Sequence, residues 1–228
     1  MCGRIAQSDP SRYAQRLRAL VDPDLDWRPS WNVPPAARLL GVRERHGARE
    51  LSDFVWGLLP GWSDDPKLAA RAFNARAESV ATKPMFRQAF SHRRLLVPVD
   101  GFYEWAAVAG SSRKQPYFFR RADGDPVVLA GLWELWARDG QQRRSATVLT
   151  SKSGPDMTVH DRQPVVLEPQ DWARWLDPGT GDADFLRTLL VPKGGVLVHH
   201  PVTLDVSSVR NDGPYLVEEA TSLPGAPP

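Results

Sequence analysis

Residues 127–150 read VVLAGLWELWARDGQQRRSATVLT, and the fold class turns on how that stretch is parsed. Residues 127–136 and 145–150 are short runs dense in Val, Leu and aromatic side chains, which suit a pleated, half-buried surface. Asp139-Gly140 between them accepts the positive φ of a two-residue hairpin turn. The stretch therefore predicts two antiparallel strands and a tight turn. Outward from it, the same signature recurs at 53–59, 94–99, 101–107, 117–120, 164–167 and 196–202, bounded by Gly, Pro, Asp or Ser. Gly110-Ser111-Ser112 marks a second hairpin. Helical patterns are few: 8–20, with Ser8 or Asp9 as cap and Pro10 in the first turn; 84–90, opened by Pro84; and 170–176, carrying Trp172, Trp175 and Leu176. Segment 69–77 stays open between helix and strand. Strands outnumber helices and no βαβ alternation appears. The prediction is a single α+β domain over 1–222, with a mostly antiparallel, barrel-like β core and peripheral short helices, then a flexible tail over 223–228.

The composition is that of a globular protein: 228 residues, 42% hydrophobic and 25% charged. No apolar run has the length of a membrane span, and the first twenty residues lack a signal-peptide core. A bacterial cytoplasmic location is expected, on the nucleoid when bound to DNA, and a monomeric state. The net charge of +2 excludes a general polycation. Arginines far outnumber lysines; genomic base composition explains that excess more simply than phosphate binding. One cysteine excludes an intramolecular disulfide and a four-cysteine zinc site. His199-His200 lies in a predicted strand, where successive side chains face opposite ways, so the pair is not expected to chelate. No metal and no cofactor are expected.

Four residues have chemical character. Cys2 precedes Gly3 and is small, so loss of Met1 is expected to place a primary amine and a thiol on one residue. An α-amino group titrates near roughly pH 8, against about 10.4 for lysine, and is nucleophilic at neutral pH. Attack on an aldehyde gives an imine; addition of the thiol to the imine carbon closes a durable thiazolidine. An incidental cysteine remains the alternative. Glu104, in Gly101-Phe102-Tyr103-Glu104-Trp105, is a carboxylate among aromatics: a general acid–base if burial raises its pKa, or else half of a structural ion pair. His160 titrates near neutrality beside Asp161 and Arg162, or is simply a turn histidine. Asn74, in Phe73-Asn74-Ala75-Arg76, either orients a substrate or serves a turn. Between 71 and 94, Arg71, Arg76, Lys83, Arg87, Arg93 and Arg94 face only Glu78, a local net of +5. Trp62, Phe73 and Phe86 lie near or within the run. Such interleaving suits single-stranded nucleic acid, where phosphates pair and bases stack; a solvated face is the plain alternative.

These blocks together resemble the SRAP domain family, named for SOS response-associated peptidases. The resemblance runs through Met1-Cys2-Gly3-Arg4, Trp31-Asn32-Val33-Pro34-Pro35, Trp56-Gly57-Leu58-Leu59-Pro60-Gly61-Trp62, Phe73-Asn74-Ala75-Arg76-Ala77-Glu78, Lys83-Pro84-Met85-Phe86-Arg87, Pro98 to Trp105, Ala130 to Glu134 and His160-Asp161-Arg162. It implies a barrel-like α+β fold, catalytic Cys2, Asn74, Glu104 and His160, and DNA contacts at Arg4, Trp62, Arg76, Arg87 and Arg162. It also implies a function: a covalent thiazolidine crosslink to abasic sites in single-stranded DNA, shielding them during the DNA damage response, with strand cleavage by β-elimination as a side activity. Ala36-Ala37 stands where many members carry Thr-Gln, and Gln163 where many carry Met. Two rivals stay open: an N-terminal-nucleophile autopeptidase using Cys2 and His160, and a single-stranded DNA binding module without chemistry.

Overall fold

The computed structural model describes residues 2–227. Its strands are β1 (Ile5–Gln7), β2 (Leu20–Val21), β3 (Ser30–Val33), β4 (Arg38–Arg45), β5 (Ala48–Trp56), β6 (Asn74–Arg76), β7 (Arg94–Val99), β8 (Gly101–Ala107), β9 (Lys114–Arg121), β10 (Val127–Arg138), β11 (Gln141–Lys152), β12 (Arg162–Pro164) and β13 (Leu197–Pro201). Its helices are α1 (Pro10–Leu17), α2 (Arg87–His92), α3 (Pro169–Leu176) and α4 (Ala183–Thr188). The α+β expectation is borne out.

The central hairpin forms as the sequence requires. β10 and β11 pair antiparallel from Arg138↔Gln141 to Gly131↔Val148. Asp139 and Gly140 turn the chain at φ 49° and 74°, the left-handed pair of a type I′ turn. β10 continues onto β7, β7 onto β4, and β4 onto β5. A parallel contact between β5 and β11, Ser145↔Val55 and Ala146↔Trp56, then closes five strands into a barrel. A second sheet, β13-β9-β8-β1-β3, lies against it. β6 runs parallel along β11, Val148↔Asn74 to Thr150↔Arg76.

Period-2 alternation sorts the core. Leu39, Phe54, Trp56, Leu95, Val97 and Val148 form one buried cluster that also holds Cys2, Phe102, Tyr117 and Phe119. Their neighbours on the opposite faces, such as Leu40, Leu51, Leu96 and Leu149, pack outward against α1, α2 and α3. The Asp9 carboxylate caps α1 by accepting the Arg12 N–H at 3.0 Å, worth about 1 kcal/mol. Trp175 of α3 is fully buried and donates its indole N–H to Leu95 O at 3.0 Å.

Three expectations shift. The helix expected over 84–90 begins later: 83–86 form a turn, with Arg87 N bonded to Lys83 O at 2.9 Å, and α2 starts at Arg87. Segment 69–77 divides into the end of a 3-10 turn and β6. The run 164–167 contributes only its first residue to β12, and Val166 forms an isolated bridge to Leu129. Of the stretch expected as a tail, residues 223–227 lie against the β8–β9 hairpin: Leu223 N donates to Gln115 Oε1 at 2.8 Å, and the Tyr117 hydroxyl to Pro227 O.

Candidate active site

Glu104 is placed by alternation on β8. Phe102, Glu104 and Ala106 share one face, while Tyr103 and Trp105 face the other, where they pack with Phe118 and Val206. The first face looks onto the cluster that contains Cys2. Tyr117 of β9 stands directly across from Glu104. The carboxylate is 3% exposed, and burial pushes its pKa up to about 7, with the Asp161 charge adding to the rise.

Cys2 is fully buried. Burial first, and then the charge of Glu104, push its thiol far up, so sulfur is held as thiol rather than thiolate. Asn74 enters from β6. Its Nδ2 donates to Cys2 O at 2.7 Å, and its buried Oδ1 has no partner among the described residues. An acceptor is therefore left at the Cys2 backbone. Asn74 is held by its neighbour: Phe73 lies edge-on to Trp56 at 6.3 Å, and the Trp56 indole donates to Phe73 O at 2.8 Å.

His160 sits in the loop before β12, about two-thirds buried, with Nδ1 accepting the Arg162 N–H at 3.0 Å and lying 2.8 Å from Asp161 Oδ1. Burial lowers its pKa, Lys114 lowers it further, and Asp161 acts in the other direction. The net shift is downward, which favours neutral imidazole at pH 7. Arg162 locks this loop. Its guanidinium grips Glu78 at 3.0 Å through each of two nitrogens and Thr150 O at 2.7 Å. The structure thus brings Cys2, Asn74, Glu104 and His160 to one place, with Asp161 and Lys114 close enough to bear on the last two.

The expected DNA contacts are spread more widely. Arg4 points inward, its Nη1 bonded to Asn32 Oδ1 and Val206 O at 2.6 Å each, with the guanidinium 5.8 Å over Trp105. Arg76 is exposed two residues beyond Asn74 on the same face of β6. Arg87 is exposed on α2, whose buried side packs on the outer core. Trp62 is 55% exposed in a loop fixed by the Trp136 indole, which donates to Ser63 O at 3.0 Å. The charged run needs correcting. Arg94 is buried and donates to the carbonyls of Phe90, Ser91, Trp175 and Asp177, closing the ends of α2 and α3. Arg93 pairs with Glu134 at 2.7 Å. Arg71, Arg76, Lys83 and Arg87 remain as exposed cations.

Sequence reading missed the residues that act through strand pairing. Tyr117 faces Glu104, and the His199 ring packs on Tyr117 at 5.4 Å while its Nε2 lies 3.3 Å from Thr158 Oγ1. His199 and His200 do face opposite ways: His200 Nε2 meets Val217 O at 2.8 Å. Gln163 is buried and accepts the Gly154 N–H at 2.7 Å. No cluster of metal-ligating side chains occurs among the described residues, and no helix among them is long and apolar enough to cross a membrane.

The pattern of the SOS response associated peptidase (SRAP) family matches residues 1–209. The chain is 33% identical to the abasic site processing protein YoqW of Bacillus subtilis, over 86% of this chain and 88% of that one. It is 32% identical to the abasic site processing protein YedK of Escherichia coli, over 96% and 99%. A crystal structure of a Bacteroides thetaiotaomicron protein superposes with a TM-score of 0.83 at 22% identity, covering 96% of this chain and 100% of that one, a likeness of fold.

Proposed function

This chain belongs to the SRAP family, and on that membership and the site just described we propose that it processes abasic sites in single-stranded DNA by linking itself to them through Cys2. The observation that carries the reading is the meeting of Cys2, Asn74, Glu104 and His160 around one buried residue. With Met1 removed, the Cys2 amine attacks C1′ of the ring-opened sugar. The carbinolamine loses water and becomes an imine. Sγ then bonds to the imine carbon, the thiol proton passes to nitrogen, and a five-membered thiazolidine closes. The net change is adduct plus one water.

Glu104 suits both proton movements, since a carboxyl with a pKa of about 7 gives and takes protons at neutral pH. It assists sugar opening and the loss of water. The Asn74 Oδ1 accepts from the Cys2 amine and aims it. Neutral His160 handles protons on the sugar, including those of link reversal and β-elimination. Arg76, with Arg87 and Trp62, follows the strand and its phosphates, while Arg4 and Arg162, already bonded within the protein, brace the backbone around the site. A Cys–His peptidase needs the reverse electrostatics, a thiol made acidic by a protonated imidazole; here the thiol pKa is raised and the imidazole pKa lowered.

Intact-protein mass spectrometry after mixing with an abasic single-stranded oligonucleotide tests this. The expected product has the mass of protein without Met1 plus oligonucleotide minus one water. Unmodified protein after prolonged mixing with an intact abasic strand contradicts the proposal.

A further inference from the structure

His160 is carried on a loop, residues 153–161, that leaves β11 and returns as β12. Ser153 N donates to Asp161 O at 3.0 Å and closes the neck of that loop. The loop is also fastened to β13. The Asp156 carboxylate accepts three successive backbone N–H groups, those of Gly195, Val196 and Leu197, at 2.8, 2.9 and 2.9 Å, where the chain enters that strand. Met157 is buried and Val159 partly so, both against the cluster that holds Cys2. Between them the Thr158 hydroxyl lies 3.3 Å from His199 Nε2.

His199 reaches that hydroxyl from the sheet that bears Glu104. β13 pairs with β9 at His199↔Phe119 and Pro201↔Tyr117, and β9 pairs with β8 at Phe102↔Phe119 and Glu104↔Tyr117. Residues opposite each other in such pairs share a face, so His199 stands on the side of the sheet that Glu104 occupies. Its ring lies on Phe119 at 4.8 Å and edge-on to Tyr117 at 5.4 Å. Nδ1 is buried and has no partner among the described residues, so Nε2 makes the polar contact of the ring. A phenyl group would fill the same space but would not hold Thr158. His200, next along the strand, faces the other way and meets Val217 O.

We propose that His199 is a positioning residue for His160: it ties the loop at Thr158 to the strands that carry Glu104, and so fixes where the imidazole meets the sugar. The contact lies two residues from His160, and a shift of about 1 Å is enough to misalign a proton donor or acceptor. The inference rests on the abasic-site reading and divides its labour further, since the link is made with Glu104 and undone with His160.

The test uses purified adduct challenged with excess competing abasic single-stranded DNA, and the rate of transfer reads the step that His160 serves. His199→Phe keeps the ring packing and removes the nitrogen. It is expected to slow transfer about three- to tenfold, the worth of one hydrogen bond, while adduct formation stays within about twofold of the parent. Thr158→Val is expected to match it, and Thr158→Ser to restore the parent rate. Once His160 is replaced by alanine, neither His199→Phe nor Thr158→Val is expected to slow transfer further. Transfer at the parent rate in both variants, or the same slowing on the His160→Ala background, overturns the positioning role. So does an equal loss of formation and transfer, which is what general destabilisation gives. Absence of adduct from the parent protein overturns the abasic-site reading itself. Positioning is then read on the free protein by NMR titration of the His160 imidazole. With Asp161 and Lys114 in place, the loosened loop of His199→Phe is expected to raise its pKa toward the ordinary 6.5, and an unchanged value overturns the role.

Discussion

The apolar interior of the barrel meets charge in two places, and the two treat carboxylates in opposite ways. In one, Arg43 lies 4.8 Å over Trp133 and 5.9 Å over Phe54, and its Nη2 donates to Glu50 at 2.8 Å. Arg45 takes the other oxygen of that carboxylate at 3.2 Å, and Arg144 bridges Asp22 and Asp53 at 3.2 and 3.5 Å. Burial pushes Glu50 up, but the bonds to Arg43 and Arg45 more than offset it, and the carboxyl ends below its ordinary range. The other place is four residues along β11, about 13 Å from Arg144, where Val148 is the partner of Asn74. There burial prevails, and Glu104 rises to about 7. A carboxylate gripped by two guanidinium forks is a strut. One in which burial outweighs the groups that lower it exchanges its proton near neutral pH, which is what proton transfer needs.

The contrast breaks most sharply at Glu104. Glu104→Gln is expected to slow adduct formation about 10²- to 10⁴-fold while single-stranded DNA binding by fluorescence anisotropy persists. Adduct at the parent rate would make Glu104 a second strut. At the other end, Arg43→Ala removes one partner of a mostly buried pair and is expected to lower stability by about 3 kcal/mol in urea titrations, with the crosslinking rate per folded molecule unchanged. A collapse of crosslinking at intact stability would show that the two ends do not act separately.

The smallest effect is in stability against pH, and its sign differs between the ends. Folded Glu104 keeps its proton up to about pH 7, whereas the unfolded carboxyl loses it near its ordinary value of 4.5. Between those values the folded state binds more protons, so this group makes stability fall as pH rises through the window, after which its effect is constant. Glu104→Gln is therefore expected to raise Tm relative to the parent at pH 8 and to leave it nearly equal at pH 4. Glu50 has the opposite sign: its folded pKa is lowered, so its contribution is present above its unfolded pKa and is lost as pH falls. Thermal melts from pH 4 to 8 check both, and a Glu104→Gln variant less stable than the parent at pH 8 would reverse the assignment.

How much of this is legible in sequence follows from where each signal is local. β7 and β8 are read to the residue, because Val, aromatic and turn residues bracket them. β4 escapes notice: residues 39–43 are all buried, so no polar alternation marks it, and Arg38, Arg43 and Arg45 make it look like a charged surface run. Arg94 was expected as a nucleic-acid cation for a related reason. Nothing local says that the ends of α2 and α3 turn their carbonyls toward it. Within the site, the four chemical residues are legible through the family resemblance of their motifs. Tyr117, His199 and Thr158 are not, since β9, β13 and the loop before β12 meet them only through long-range pairing.

The central claim is that Cys2 acts with two atoms, its amine making the imine and its thiol locking it. A denaturing gel of protein with abasic single-stranded DNA, run with and without borohydride, separates them. Cys2→Ser and Cys2→Ala, with Met1 removed, are expected to lose the stable adduct yet yield a borohydride-trapped imine. A parent protein whose terminus is proved blocked, by a retained extension or by acetylation, is expected to give neither product although its thiol is intact. A stable adduct from that blocked protein would contradict the account.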